Sequence, residues 1–469
     1  MQTYLFYDIE TTGLNKSFDQ VLHFAAIRTD LSLKELERYE LKVKLNAHII
    51  PSPEALITHH MGITEIQNGI TELDAITQIH RWLNAPGTIS VGYNSLGFDD
   101  EFLRFSFFRH LLPAYTHQYA NQCSRMDLYP MAILFYLYKN DIFQWPIVDG
   151  QPKLKLELIN AENQWVTGQS HHAMVDVEVT LAMARCFFAA RDMWDYAIGY
   201  FNKQTDLARS QPLPRELTSD YGEHREGLML QGRFGSRHQF QRYVLGLGES
   251  IPYKNQTLWL PLDSTPFHAE KEDTLVEQSL VTRKKWGEPA FILPPKDRFM
   301  TYMNDERRAL IDANKMWLKQ HPALFHRLIE YHRNYTYPVI PNVDCSASLY
   351  LTSFLTDEEK NSCQRFHAVQ PEQKSLLVDQ FRNPLLKTLA LRLLGLYFPQ
   401  ALTPAQHSAW IHQKESEPWV DYRGEKKLTA ACALRQIAEL RQGGQLSPLQ
   451  SQIVDEFEDY LLYGTVRVS

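Results

Sequence analysis

The sequence has few of the features that define secreted, membrane or disulfide-stabilised proteins. Its 469 residues include only five cysteines, which are scattered, odd in number and never arranged as Cys-x-x-Cys: Cys123, Cys186, Cys345, Cys363 and Cys432. This pattern argues against a disulfide framework and a thiolate zinc site. No apolar run approaches the roughly 18 residues of a membrane span, and no basic signal segment opens the chain. We therefore expect a cytoplasmic protein with no membrane association.

An excess of positive charge is also missing. The net charge is −7, and residues 1–190 account for all of it, with 14 Lys and Arg against 21 Asp and Glu. Any binding of nucleic acid must therefore come from local patches rather than from global charge. A hydrophobic share of 44% and a charged share of 22% are ordinary for a globular protein, and the length predicts more than one domain.

The first strong signal is the stretch Tyr4 to Gly13, YLFYDIETTG. Its apolar residues predict a buried strand, on which Asp8 and Glu10 point to the same face because side chains alternate. Two adjacent carboxylates repel each other unless a cation lies between them, and hard oxygen ligands suit Mg2+ or Mn2+. A strand that simply ends in a polar Thr-Gly turn is the alternative interpretation.

The elements that follow predict a mixed sheet with helices on its faces. Further strands are predicted at 21–29, 40–45 and 88–93, and helices at 73–83 and 99–112. Three successive strands followed by alternating helix and strand are typical of such an α/β arrangement.

Two further signals lie where helices begin. Asp99 and Asp100 occupy the first turn of one predicted helix, where the helix dipole alone would favour carboxylates. His171 precedes Asp176 by five residues at the start of another predicted helix, which runs to about residue 190. A histidine in this place is often only a cap or a surface residue, so each signal is weak when taken alone.

Taken together, the three segments resemble the DEDD exonuclease superfamily in its histidine-containing variant. The shared motifs are Asp-x-Glu-Thr, then Asn-x-x-x-Phe-Asp-x-x-x-Leu, then His-x-x-x-x-Asp, in that order. The segment His60-Met61-Gly62-Ile63-Thr64 is similar to the superfamily's His-Gly-Ile-Thr, with a methionine inserted. DIETTG, VGYNSLGFDDEFLR and HHAMVDVEVTLAMA most resemble the bacterial exodeoxyribonuclease I family, over essentially the whole chain.

The resemblance implies a ribonuclease-H-like sheet on which Asp8, Glu10, Asp99 and Asp176 bind two Mg2+ ions, with Mn2+ as a substitute. His171 is then the general base, and the neighbouring Asp100 and His172 are bystanders. Two ions about 3.5 to 4 Å apart can activate a water and stabilise the leaving 3′ oxygen. An imidazole, with an ordinary pKa near 6.5, can accept the proton of that water.

The resemblance also implies contacts with the substrate. Glu10, Thr11, Thr12 and Leu14 would contact the 3′-terminal nucleotide, and Lys155 stands where the family carries an arginine, without that residue's bidentate fork. Arg104, Tyr115 and Tyr119 would bind the single strand through charge and base stacking, Tyr119 replacing a tryptophan. The alternative is that both tyrosines only pack a loop. A basic contact that the family has near Ile133 is missing.

Three domains are predicted. Residues 1–190 form the α/β exonuclease domain, 192–346 an SH3-like α+β domain, and 348–469 an all-α domain. In the second, short strands alternate with turns and a helix is expected at 306–331; in the third, helices are expected at 384–398, 428–441 and 448–463. Segments 232–238 and 283–286 mix cations with aromatic residues, as a nucleic-acid surface or as solvated turns.

The function implied by the resemblance is processive 3′-to-5′ degradation of single-stranded DNA to 5′-mononucleotides. A role in DNA repair and recombination, and docking to the C-terminal tail of the single-stranded DNA-binding protein, are implied in the same way; a monomer is expected. One alternative is an RNA-trimming exoribonuclease or oligoribonuclease of the same superfamily, although those chains are usually much shorter. The other is a non-catalytic nucleic-acid-binding factor.

Overall fold

The computed structural model describes residues 1–168, 171–415, 419–444 and 446–464. Its strands are β1 Thr3–Thr11, β2 Val21–Thr29, β3 Glu35–Lys42, β4 Thr88–Gly92, β5 Ser124–Asp127, β6 Ile147–Val148, β7 Gln151–Pro152, β8 Leu217–Ser219, β9 Gly222–His224, β10 Glu226–Leu230, β11 Gln241–Glu249, β12 Gln256–Pro261, β13 Thr282–Lys285 and β14 Phe291–Leu293.

The α-helices are α1 Pro53–His59, α2 Ile63–Ile66, α3 Glu72–Leu83, α4 Asp99–Arg109, α5 Leu128–Tyr138, α6 Leu156–Asn163, α7 Ala173–Ala189, α8 Arg191–Ile198, α9 Lys203–Ser210, α10 Glu272–Gln278, α11 Asp305–Gln320, α12 Pro322–Asn334, α13 Asp357–Ala368, α14 Pro371–Gln380, α15 Pro384–Tyr397, α16 Pro404–Glu415, α17 Ala430–Gly443 and α18 Pro448–Tyr463. Among the described helices, none combines the length and the apolar composition of a membrane span.

The chain divides into two compact units, and neither is continuous in sequence. The first comprises residues 1–125, 166–178 and 339–469, and the second comprises 126–165 and 179–338. The first unit thus draws on both the predicted exonuclease domain and the predicted C-terminal helical domain. This division into compact units does not test where one type of fold ends and the next begins. The predicted domain boundaries near residues 190 and 346 therefore stay predictions.

A five-stranded mixed sheet forms the centre of the first unit, in the order β3-β2-β1-β4-β5. Strand β1 pairs antiparallel with β2 and parallel with β4, so it is hydrogen-bonded on both sides, and the predicted ribonuclease-H-like class is confirmed. Strand β3 begins at Glu35, five residues before its predicted start. It is an edge strand with mostly exposed polar residues, so hydrophobicity could not locate it.

Helices α13 to α16 share one hydrophobic core with this sheet. Leu5 of β1, Phe105 of α4 and Leu389 of α15 are all fully or almost fully buried in the same cluster. Phe105 also stacks on Tyr422, with ring centroids 5.5 Å apart, and meets Tyr350 edge-on at 5.2 Å. Burying aromatic and leucine side chains contributes about 1.5 to 3 kcal/mol each. Helix α4, which carries Asp99, therefore depends on residues more than 240 positions later in the chain.

The second unit contains an antiparallel sheet in the order β13-β12-β11-β10-β14 together with helices, as its predicted α+β class requires. The single helix predicted at 306–331 is instead two, α11 and α12, which are separated at His321. The next residue is Pro322, and a residue before proline is disfavoured in the α-helical region. The predicted all-α character of the C-terminal part is confirmed.

Residues 283–285 lie on strand β13 and Trp286 begins the turn after it, and the buried side chains of Lys284 and Trp286 are not available to a nucleic acid or to solvent. Lys284 lies on β13 with a fully buried side chain, and its Nζ is 2.7 Å from Oδ2 of Asp206. Trp286 is also buried, in the core cluster of this sheet. The mixture of cationic and aromatic residues resembled a binding surface because Asp206, the buried partner of Lys284, is distant in sequence.

Candidate active site

Strand β1 carries Asp8 and Glu10 on one face of the sheet, as the alternation of side chains predicted. In the register with β2, Asp8 lies opposite Ala25 and Glu10 lies opposite His23. Glu10 is buried and Asp8 is half-buried, in the middle of an otherwise apolar strand. The sheet therefore fixes the spacing of the two carboxylates before any ion is bound.

Asp99 reaches β1 because the neighbouring strand ends early. The pairing of β4 with β1 stops at Phe6, and β4 ends at Gly92. A Cβ atom at residue 92 would lie 2.4 Å from the Cβ of Ser95, so the tight turn into α4 requires glycine. The Ile9 amide, between the two β1 carboxylates, donates to Oδ1 of Asp99 at 3.3 Å. The first turn of α4 is thereby tied to the site.

Asp176 completes the group from the first turn of α7. Its backbone amide donates to the carbonyl of His172 at 3.1 Å, which starts the helix. Ligand atoms of Asp8, Glu10 and Asp176 all lie within 4.8 Å of one another. The structure thus brings together all four predicted metal-binding carboxylates, from two strand positions and two helix starts.

The charges of this group act strongly on Asp8. Burial raises the pKa of Asp8 well above its ordinary value, and the neighbouring carboxylates of Asp99, Glu10 and Asp176 raise it further. Four acidic side chains so close together repel one another, and divalent cations would remove this repulsion. The donor set consists of carboxylate oxygens, which are the ligands that Mg2+ and Mn2+ prefer. The residues present therefore fit the predicted pair of ions.

His171 lies in the turn directly before α7, two residues ahead of its first residue. The side chain is half-buried, and the backbone has a φ of +61°, in the left-handed region that non-glycine residues seldom adopt. Such a conformation costs of order 1 kcal/mol and persists where the surrounding structure imposes it. The role of His171 as general base stays a prediction.

Sequence reasoning missed His59, the last residue of α1. Its Nδ1 lies 2.6 Å from Oε2 of Glu10, and its Nε2 lies 3.0 Å from the carbonyl oxygen of Thr11. The ring therefore lies directly against the Glu10 carboxylate. The resemblance drew attention to His60 instead, which caps α1 with a φ of +55°. The available signal was a pair of histidines at the end of an amphipathic helix.

Asp100, predicted to be a bystander, holds a buried ionic cluster. It lies 2.7 Å from Arg125, 2.9 Å from His117 and 3.2 Å from Arg104. Burial alone would raise the pKa of Asp100, but these three groups outweigh burial and hold that pKa well below its usual range. Arg104, a predicted DNA contact, is thus anchored by Asp100, and its guanidinium lies 5.7 Å from the ring centre of Tyr115.

Replacing Asp100 with alanine is expected to lower the free energy of unfolding by about 3 to 5 kcal/mol, because the buried Arg104 and Arg125 would lose the carboxylate that they share. Urea denaturation followed by circular dichroism measures this change. Asp141→Asn, at an aspartate whose side chain is 69% exposed, is the control and should change stability by less than about 0.5 kcal/mol. Equal stability of Asp100→Ala and the wild type would contradict a structural role for this cluster.

The residues at and just beyond the end of β1 differ in how they could contact a nucleotide. The hydroxyl of Thr11 donates to the Gly13 carbonyl at 2.7 Å, and that of Thr12 donates to Oδ1 of Asp19 at 2.9 Å. Leu14, in contrast, is 82% exposed and presents an apolar surface to solvent. Both hydroxyl protons are thus used inside the protein, and the predicted contacts of these three residues with the 3′-terminal nucleotide stay predictions.

Asp19→Asn is expected to gain stability relative to the wild type as the pH rises. Burial raises the pKa of Asp19 to about 6 from an ordinary 3.8, so the folded state favours the protonated acid. The stability contributed by Asp19 is therefore fully present below its ordinary pKa and is lost as the pH rises through about 6. The shift corresponds to about 3 kcal/mol.

Urea denaturation of both proteins near pH 4 and near pH 7 tests this expectation. The substitution also changes the hydrogen bonds from Thr12 and from the Asn15 amide, which adds an offset at every pH. Only the change of the difference with pH therefore reports the titration. Unfolding free energies that stay parallel for the two proteins across this range would contradict the raised pKa of Asp19.

The remaining predicted DNA contacts lie in both units. In the first, the ring of Tyr115 meets Phe354 edge-on at 5.8 Å, and Tyr119 is 71% exposed. In the second, Lys155 directly precedes α6, and its side chain is 71% exposed and lies 3.6 Å from Glu157. Tyr119 and Lys155 therefore face solvent, and their contacts with DNA stay predictions.

The mixed sheet and its four converging carboxylates define a metal-dependent nuclease with a ribonuclease-H-like core. A sequence model described as "Exonuclease" matches residues 5–184, and one described as "Exonuclease I C-terminal domain" matches residues 342–463. These two matches confirm the resemblance to the exodeoxyribonuclease I family that the motifs indicated.

Curated relatives agree with this assignment. Exodeoxyribonuclease I of Escherichia coli K12 is 25% identical over 438 residues, which cover 88% of this chain and 89% of that protein. Exodeoxyribonuclease I of Haemophilus influenzae is 31% identical over 188 residues, which cover 39% of each protein. The similarity is thus higher over a shorter segment and extends, more loosely, along most of the chain.

Solved structures show the same fold. E. coli Exonuclease I in complex with a dA16 oligonucleotide superposes with a TM-score of 0.84 at 21% identity, covering 98% of this chain and 99% of that one. A moderately thermophilic Exonuclease I from Methylocaldum szegediense gives a TM-score of 0.81 at 22% identity, with the same coverage. The backbone is therefore retained although about four residues in five differ.

Proposed function

We propose that this chain is a Mg2+-dependent exodeoxyribonuclease that removes 5′-mononucleotides processively from the 3′ end of single-stranded DNA. The observation that carries the proposal is the convergence of Asp8, Glu10, Asp99 and Asp176 on the sheet. The names of the E. coli and H. influenzae relatives support DNA as substrate, and the dA16 complex of the E. coli enzyme supports a single strand.

The four carboxylates would bind two divalent ions. When bound, such ions supply an activated water and stabilise the charge that develops on the leaving 3′ oxygen. Mg2+ is proposed because every ligand is a hard carboxylate oxygen, and Mn2+ would substitute for it. His59 lies against the Glu10 carboxylate, and the Ile9 amide positions that of Asp99.

His171 is proposed to accept the proton of the attacking water. Hydrolysis forms a bond between the water oxygen and phosphorus and breaks the bond between phosphorus and the 3′ oxygen, so the released nucleotide carries a 5′ phosphate. The 3′ oxygen receives a proton and becomes the new chain end. The turn before α7 suits His171 to this task, because it adjoins the helix start that carries Asp176.

The single strand is proposed to lie along Arg104, Tyr115 and Tyr119, with Lys155 contacting a phosphate and Leu14 the terminal base. Anchoring by Asp100 fixes the direction of the Arg104 guanidinium, and exposed aromatic rings such as Tyr119 offer stacking surfaces for bases. The protein is further proposed to act in DNA repair and recombination in the cytoplasm, as a monomer that docks the C-terminal tail of the single-stranded DNA-binding protein.

One assay separates this proposal from its rivals. The protein is incubated with Mg2+ and with 5′-labelled single-stranded DNA, single-stranded RNA or duplex DNA, and Asp8→Ala serves as the inactive control. Shortening of single-stranded DNA from its 3′ end, with 5′-mononucleotides as product, is expected. Release of nucleotides from RNA alone would indicate an exoribonuclease, and no release from any substrate would indicate a non-catalytic binding factor.

A further inference from the structure

A second group of metal-ligating side chains lies beside the carboxylate site. Among the described residues, His23, Glu40 and His172 offer ligand atoms that all lie within 4.8 Å of one another. His23 Nε2 is 2.9 Å from Oε1 of Glu40, and His172 Nε2 is 3.9 Å from the same oxygen. The two imidazole rings meet edge-on, with centroids 4.8 Å apart. This group is called the His-Glu-His cluster below.

The sheet register explains how the cluster forms. Glu40 of β3 lies opposite Ala25 of β2, and His23 lies two residues from Ala25 on the same strand, so both side chains point to one face. That face also carries Glu10, which lies opposite His23 in the next strand pair. His172 approaches from the turn before α7. The cluster is therefore built on rigid strands next to the carboxylate site.

The spacing of the cluster fits one ion better than it fits hydrogen bonds alone. His23 and Glu40 are at hydrogen-bonding distance, but 3.9 Å between His172 and Glu40 is too long for a hydrogen bond. Two donors bound to one tetrahedral zinc ion, each about 2.0 to 2.1 Å away, are about 3.3 Å apart. Both separations from Glu40 Oε1 lie within about 0.6 Å of this value, and the ligand nitrogens of His23 and His172 lie within 4.8 Å of each other, so side-chain rotations would close the site.

The donor types indicate which ion would bind. Two imidazoles and one carboxylate, with a position left for water, form the ligand set of many zinc sites. Imidazole suits zinc and other late transition ions, whereas Mg2+ prefers oxygen ligands and retains its waters. The cluster and the all-carboxylate site therefore differ in metal preference, although they lie side by side.

We propose that His23, Glu40 and His172 form an accessory Zn2+ site, separate from the carboxylate site. Glu40 and His172 are each a little over 40% exposed, which gives the ion a path from solvent, whereas His23 is buried and provides a fixed anchor. Bound zinc fixes His172 and with it the backbone of the adjacent His171. Where the proposed nuclease activity holds, zinc at this site slows Mg2+-dependent cleavage by restraining that turn.

Zinc binding is measured by equilibrium dialysis of the chelator-treated full-length protein in excess Mg2+, so that the readout does not depend on nuclease activity. The wild type and Asp8→Ala, which damages the carboxylate site, are expected to bind one tight zinc ion each. Glu40→Gln and His172→Asn should weaken that binding at least tenfold. Glu37→Gln, on the same strand but the opposite face, is the matched control and should bind as the wild type does.

Two outcomes would overturn the proposal. Undiminished tight binding by both Glu40→Gln and His172→Asn would show that zinc binds elsewhere, and loss of zinc in Asp8→Ala would place it in the carboxylate site. Glu40 lies on an exposed edge strand, and circular dichroism would verify that its variant is folded. An inactive protein that still binds zinc through Glu40 would refute the proposed nuclease function while leaving the accessory site intact.

Discussion

Asp8→Asn is expected to lower the rate of DNA cleavage at least about 10³-fold while making the metal-free protein more stable. The loss follows because Asp8 is one of the carboxylates that hold the ions, and metal stabilisation of the transition state contributes several kcal/mol, at about 1.4 kcal/mol per factor of ten. The gain follows because asparagine keeps the shape of the side chain and removes one of four mutually repelling charges.

The size of the stability change depends on pH. Burial and three carboxylates raise the pKa of Asp8, so in the wild type the contribution of Asp8 to stability falls as the pH rises above its ordinary value. The advantage of Asp8→Asn should therefore be larger at neutral pH than in acid, and saturating Mg2+ should reverse it by stabilising only the wild type.

Single-turnover cleavage of labelled single-stranded DNA and urea denaturation with and without Mg2+ measure the two effects. Asp141→Asn, at an exposed aspartate, is the control and should behave as the wild type in both measurements. A variant that retains a tenth of the wild-type rate would contradict the role of Asp8 as a metal ligand. A variant less stable than the metal-free wild type at neutral pH would contradict the repulsion argument.

His171→Gln is expected to slow cleavage by about 10² to 10⁴-fold without weakening Mg2+ binding. A positioned general base contributes about this factor, and glutamine cannot accept the proton of the attacking water. Because hydroxide can replace the missing base, the rate of the variant should rise more steeply with pH than that of the wild type. The Mg2+ concentration that gives half-maximal rate should remain unchanged.

The adjacent His172 offers a matched control. In zinc-free buffer, His172→Gln should cleave at the wild-type rate, because the motif spacing selects His171 as the general base. Single-turnover rates over a range of pH distinguish the two variants. A slow His172→Gln together with a normal His171→Gln would reverse the assignment, and a higher Mg2+ requirement in His171→Gln would point to metal binding rather than proton transfer.

Much of the carboxylate site could be predicted because local rules determine it. Strand alternation places Asp8 and Glu10 on one face, and helix starts present Asp99 and Asp176. Sequence motifs identified which carboxylates belong to one site. The hydrogen bond from the Ile9 amide to Asp99, however, depends on where β4 ends. Pairing of β4 with β1 is a non-local property that no single segment reveals.

The sequence did not reveal the roles of residues whose contact partners lie far away in the chain. Asp100 looked like a spare carboxylate because Arg125 and His117 come 17 to 25 residues later. The partner of Lys284, Asp206, comes 78 residues earlier. His59 looked ordinary because Glu10 belongs to another element. In each instance the residue type was visible and the neighbour that gives it a role was not.

The packing of Phe105 against Tyr350 and Tyr422 has a genetic consequence. A premature stop codon near position 340 would leave the five residues predicted to form the reaction centre in the product. The helix that presents Asp99 would nevertheless lose the two tyrosine rings that pack against it. We expect such an allele to be null, because the shortened product would aggregate or be degraded before it met any DNA. Nonsense mutations late in the gene should therefore be as damaging as missense changes in the reaction centre.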